Sequence, residues 1–149
     1  YNTRFRFITL SNRKFFGFRE TEIFGVKVKI ADPEKCLIDA VDKMHYCGGA
    51  EEVASVIYRG LKQADEPKLI DYLIKMNSYT LNQRFGFLMD FLSRRRLITF
   101  PSRLRFHLQE NLGKAPIYLD AKRPRHGGYV REWNIVQNVP ENELLSEIR

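Results

Sequence analysis

Nine cations gathered late in the chain are the residues best suited to do chemistry. They are Arg94, Arg95, Arg96, Arg103, Arg105, Lys122, Arg123, Arg125 and Arg131, with Phe100, Phe106, Tyr118 and Tyr129 interleaved. A guanidinium group donates two coplanar hydrogen bonds, which suits the oxygens of a phosphate. Each phosphate neutralised also releases counterions, so several arginines acting together give affinity for duplex DNA. The net charge is +7, and residues 91–132 hold ten Lys/Arg against three Asp/Glu, whereas the remainder holds fifteen of each. All of the surplus therefore lies in one segment, as expected where a partner of opposite charge is met. A plainer role stands beside this one. Cations at a helix C-terminus answer its dipole, and arginine stems cover apolar surface. Nothing in the segment suggests base-specific readout, so sequence selectivity would need a separate reading element.

Other chemistry finds little support. Cys36, His45 and Cys47 are near in sequence, but none of the usual zinc spacings occurs. There is no Gly-x-Ser-x-Gly elbow and no phosphate-binding loop. Gly48-Gly49 and Gly127-Gly128 read as turns, and His107 and His126 lie among cations, where they suit surface or phosphate-contacting roles. Asp39 and Asp42 are placed to pair with Lys35 or Lys43 on a solvated helix face. No catalytic group, metal ligand or cofactor is expected, and the protein is read as not an enzyme. The two cysteines lack a disulfide framework, which fits a reducing cytoplasm. No apolar run approaches the roughly 18 residues that span a bilayer, and no signal segment opens the chain, so no membrane partner is expected.

The elements that must position these residues can be read from periodicity and caps. Arg4 to Thr9 alternates basic and apolar residues and predicts a strand with one buried face. Phe15 to Phe18 predicts a second strand and Gly25 to Ile30 a third, forming a small antiparallel sheet with a basic outer face. Asp32-Pro33-Glu34 opens a helix that should run to about Cys47, where Gly48-Gly49 ends it. A second helix carries Val53, Val56, Ile57 and Leu61. A third follows Glu66-Pro67, and a fourth, capped by Ser78 or Thr80, carries Leu81, Phe85, Leu88 and Leu92. Short links predict an antiparallel bundle. Pro101-Ser102 opens a short helix to Leu112. Ile117 to Leu119 and Tyr129 to Val136 predict two strands around a basic arm from Asp120 to Gly128, and a last exposed helix follows Pro140. The fold class expected is α+β: a small antiparallel sheet, an antiparallel helical bundle and a late pair of strands. One domain of 149 residues is expected, with strands over 1–31, helices over 32–96 and a basic mixed region over 97–149.

The run Val28-Lys29-Ile30-Ala31-Asp32-Pro33-Glu34-Lys35-Cys36-Leu37-Ile38-Asp39 resembles the strand-to-helix entry of the AbiEi antitoxin C-terminal domain. Gly48-Gly49 followed by Glu51-Glu52-Val53-Ala54, and the late Trp133-Asn134-Ile135-Val136-Gln137-Asn138, extend the likeness from about Phe5 to Asn138. The resemblance implies an effector domain of an antitoxin and transcriptional regulator from an abortive-infection toxin–antitoxin system. Such proteins antagonise a nucleotidyltransferase toxin without a stable complex. Their C-terminal domain adds basic surface to the operator DNA contacts of an N-terminal winged helix. The chain starts at Tyr1, without an initiator Met, and the family's winged helix is expected to be absent from it. Upstream residues are therefore expected to have been removed or left out, and sequence-specific operator reading by these residues alone is not expected. The alternative is a protein–protein interaction module without nucleic-acid binding, using the helices between Asp32 and Arg96. Oligomeric state is not legible.

Overall fold

A computed structural model describes residues 5–148. Strands β1 (Phe18–Ile23) and β2 (Val26–Ala31) form an antiparallel hairpin in which Phe18 faces Ala31 and Ile23 faces Val26. Its turn is the pair Phe24-Gly25, with φ of 50° and 77°. Two left-handed residues match the right-handed twist of the strands. Glycine takes that conformation freely, whereas Phe24 takes it at a steric cost. Glu20 faces Lys29 and Glu22 faces Lys27, opposite charges that favour the register the turn sets.

The helices follow in succession: α1 (Pro33–Asp42), α2 (Ala50–Gly60), α3 (Glu66–Met76) and α4 (Tyr79–Arg94). Asp32, Asp65 and Ser78 cap α1, α3 and α4 by accepting from the N–H groups of Lys35, Lys68 and Leu81. Each satisfies a donor that the first helical turn leaves free. Helix α4 is the axis of the molecule, with all residues from Phe85 to Leu92 buried. A helix apolar on nearly every side must be surrounded; α1, α2 and α5 (Ser102–Glu110) pack on it.

The late region is a mixed three-stranded sheet of β3 (Ile117–Tyr118), β4 (Gly128–Val130) and β5 (Ile135–Gln137), in the order β3-β5-β4. Strand β3 runs parallel to β5, and β4 runs antiparallel to it. A short helix α6 (Glu141–Leu144) closes the described chain against α2. Buried polar side chains of α4 stitch this region on: Gln83 Nε2 donates to the carbonyls of Ala115 (3.1 Å) and Asn134 (2.7 Å), and Asn82 Nδ2 to that of Asn111 (2.9 Å). Trp133 is fully buried against Gly86, where an added Cβ would lie 2.1 Å from the indole ring.

The fold is α+β, as the sequence predicts, with local differences. Phe5–Thr9 forms no strand; Arg4 lies outside the described residues. The second expected strand begins at Phe18 rather than ending there. Helix α1 stops at Asp42, and a 3-10 turn over Met44–Tyr46 carries the chain to Gly48-Gly49. The strand expected over Tyr129–Val136 is two strands, because a 3-10 turn (Arg131–Trp133) and left-handed Asn134 (φ 48°) intervene. Among the described residues no helix is long and apolar enough to cross a membrane.

Candidate nucleic-acid interface

The nine cations divide into two groups. Four are held by carboxylates. Arg94 reaches Asp90 (2.8 Å), Arg105 reaches Asp90 (2.6 Å) and Glu132 (2.9 Å), and Arg123 reaches Glu51 (3.0 Å) and Glu143 (2.8 Å). Arg95 pairs with Glu141 and lies over the Phe91 ring at 3.7 Å. Arg105 also covers the ring of Phe100 at 4.4 Å. These stems and forks do what structural arginines do: they satisfy acids and shield aromatic surface. The other five, Arg96, Arg103, Lys122, Arg125 and Arg131, are exposed and have no carboxylate partner among the described residues.

Asp90 brings Arg94 and Arg105 together, whereas Arg103 and Arg105 part. Two residues apart on a helix turns a side chain by about 200°. Arg105 therefore meets Asp90 and Glu132, while Arg103 borders a groove with Ile70 and His107 on the side of α3.

The arm before β4 is a built structure. Asn138 accepts from the Asp120 amide (3.0 Å) and donates to the carbonyls of Asp120 (2.8 Å) and Pro124 (3.1 Å). Asp120 in turn caps the Lys122 amide at 2.8 Å. Arg123 pins the middle of the arm between α2 and α6 through its two carboxylates. Lys122 and Arg125 flank that pin and point their charge to solvent, as does Arg131 beyond β4. Tyr129, also exposed, donates its hydroxyl to Asn134 Oδ1 at 2.9 Å. Lys114 is a further exposed cation of the same segment, absent from the nine but counted in its surplus charge.

No family model, curated protein or solved structure matches this chain. The chemistry must therefore be read from the side chains.

The Asp32-Pro33-Glu34 run, sharpest in the sequence, serves architecture. Asp32 accepts from the Lys35 amide (2.9 Å) and the Tyr72 hydroxyl (2.7 Å), with Lys68 Nζ at 3.0 Å. Glu34 accepts from the Asp65 amide at 2.7 Å and lies 3.1 Å from the same Lys68. One ammonium thus bridges two carboxylates and locks α1 to α3. Burial pushes the Asp32 carboxyl up, but the Tyr72 hydroxyl, the Lys35 amide and Lys68 outweigh it and hold the group below its ordinary range. Lys35 pairs with Asp39 and Lys43 approaches Asp42 (3.7 Å), but Lys35 is completely buried, so the solvated face expected there is in part an interior one. Asp42 is also held by Lys14 at 2.7 Å. Arg84 likewise works inside, donating from Nε to the Leu119 carbonyl at 3.0 Å.

Cys36 and Cys47 have thiols pushed up, first by burial and then by Asp39, so both are protonated near neutrality and poor nucleophiles. Burial pushes His107 down and leaves it neutral at pH 7, while His126 stays exposed. Among the described residues no group of three His, Cys, Asp or Glu could hold a metal ion.

Proposed function

We propose that this chain is a non-catalytic effector domain of a regulator that contacts DNA phosphates without reading bases. The carrying observation is the arm: among the described residues Lys122 and Arg125 have no carboxylate partner on either side of a pinned Arg123, and neither has Arg131 beyond β4. A fixed cation loses less freedom on binding than one on a loose loop, so phosphates gain more from it. Arg94, Arg95, Arg105 and Arg123 are assigned to structure, since a phosphate would have to displace their carboxylates. The resemblance to the AbiEi C-terminal domain supports the regulatory setting, and antagonism of a nucleotidyltransferase toxin rests on that resemblance alone.

Fluorescence anisotropy with a labelled duplex of arbitrary sequence tests the reading. Affinity should fall steeply with salt, and the triple variant Lys122→Ala, Arg125→Ala, Arg131→Ala should flatten the log–log salt slope by about 3. If the chain shows no affinity for the duplex even near 50 mM salt, a range in which phosphate contacts are strong, the reading is wrong.

The second reading, a protein-interaction module, has its own observation, though in a different place from the helices first expected to serve it. Phe5, Phe7, Phe15 and Phe24 are exposed around the N-terminal segment and hairpin tip, whereas Ile74 and Tyr79 are the exposed large apolar residues of the four main helices. Exposed aromatic side chains attract protein partners where they form one contiguous patch.

A further inference from the structure

A cleft of about 700 Å³ opens where the C-terminus of α4 meets the N-terminus of α5, with the turn after α2 as its far wall. Leu61, Leu69, Leu97, Ile98, Phe100 and Leu104 supply its apolar lining. Two cations, Lys62 and Arg96, stand at it, both exposed and neither with a carboxylate partner among the described residues. The one acid in the lining, Glu66, already accepts from the Leu104 amide at 3.0 Å. Counting both cations and this acid, the cleft keeps net positive charge. It is a half-open cleft whose volume falls in the range of small-molecule sites, with apolar walls to receive a body and charged groups to orient a head.

The turn that ends α4 fixes the backbone of Arg96. Helix α4 ends in a Schellman motif: the Leu97 amide donates to the Leu92 carbonyl (3.1 Å) and the Arg96 amide to that of Ser93 (2.9 Å). The left-handed position of that motif favours glycine, yet Arg96 occupies it at φ 59°. Glycine there would relieve that conformation and remove the guanidinium from the cleft.

We infer that this cleft binds a small amphipathic anion, an apolar chain or ring bearing one carboxylate or phosphate, with Arg96 and Lys62 receiving the head. The inference is independent of the DNA reading, which rests on the arm. Decanoate is the probe, with 1-decanol and inorganic phosphate as controls, titrated calorimetrically into the full chain. Decanoate should bind at one site, at least about tenfold more tightly than either control, because both halves of the ligand contribute. Arg96→Gly should weaken it by about tenfold or more. The same change should raise Tm by about 2–4 °C, since it relieves the left-handed strain. Lys62→Ala should weaken binding in the same direction, and Arg96→Lys should retain part of it. Absence of binding up to the solubility of decanoate overturns the inference, as does unchanged affinity in both Arg96→Gly and Lys62→Ala. Phosphatidylglycerol vesicles distinguish a free anion from a lipid headgroup: co-sedimentation of the chain with vesicles, without binding of free decanoate, also overturns it.

Discussion

At the scale of single residues, Asp32 is the most consequential. Its carboxylate receives a hydroxyl, an amide and an ammonium within a mostly buried junction. Its folded-state pKa lies below the ordinary value of 3.8. A group depressed on folding stabilises the protein at pH above the unfolded value, and that contribution is lost as pH falls below it. Acid unfolding should therefore draw on Asp32 below about pH 4. Tyr72→Phe removes one donor to the carboxylate and should cost about 1.5–3 kcal/mol at pH 7, with the acid limb moving to higher pH. Urea melts of both proteins between pH 3 and 7 measure this; superimposable pH profiles would refute the assignment. Gly86 poses a different constraint. Alanine there would gain about 1 kcal/mol in helix propensity but would place Cβ inside van der Waals contact with the Trp133 ring. Overpacking should dominate, with a net loss of about 1–3 kcal/mol and a changed emission from Trp133, the only tryptophan. A melt with unchanged midpoint and an unshifted spectrum would contradict that packing.

At the scale of elements, what could be read in advance depended on whether the cause was local. The start of α1 is legible because Asp-Pro-Glu caps a helix with neighbours in sequence, and Glu66-Pro67 marks that of α3, whose cap is the preceding Asp65. Alternation over Phe5–Thr9 was a weaker guide, because a strand needs a partner and none is present there. The break at Asn134 is not legible in the alternation; its left-handed turn is held by Tyr129 and by the Gly113 carbonyl, 21 residues away. The candidate site divided in the same way. Surplus charge and its location were visible in the sequence, whereas the pairing of Arg95 with Glu141 and Arg123 with Glu51 spans 46 and 72 residues and has no local signature. The hairpin supplies a prediction of its own. Two strands without a third are marginal in water, and much of this pair faces solvent. Amides of β1 and β2 should exchange with deuterium well before those of α4, which open only with the core. Equal protection of the two regions would show the hairpin to be covered.

At the scale of the whole molecule, α6 changes how the charge is used. Two of its carboxylates, Glu141 and Glu143, rest on Arg95 and Arg123. On the proposed reading they take places that DNA phosphates would otherwise compete for, so this short helix acts as an internal stand-in for two anions over part of the basic surface. Glu141→Gln should leave Arg95 in place over Phe91 but without its carboxylate, and should not touch the arm. The salt slope for duplex DNA should then steepen by up to about 1, because one more counterion is released on binding. A titration in which Glu141→Gln and the parent share one slope would mean that the pairing hides nothing from the nucleic acid.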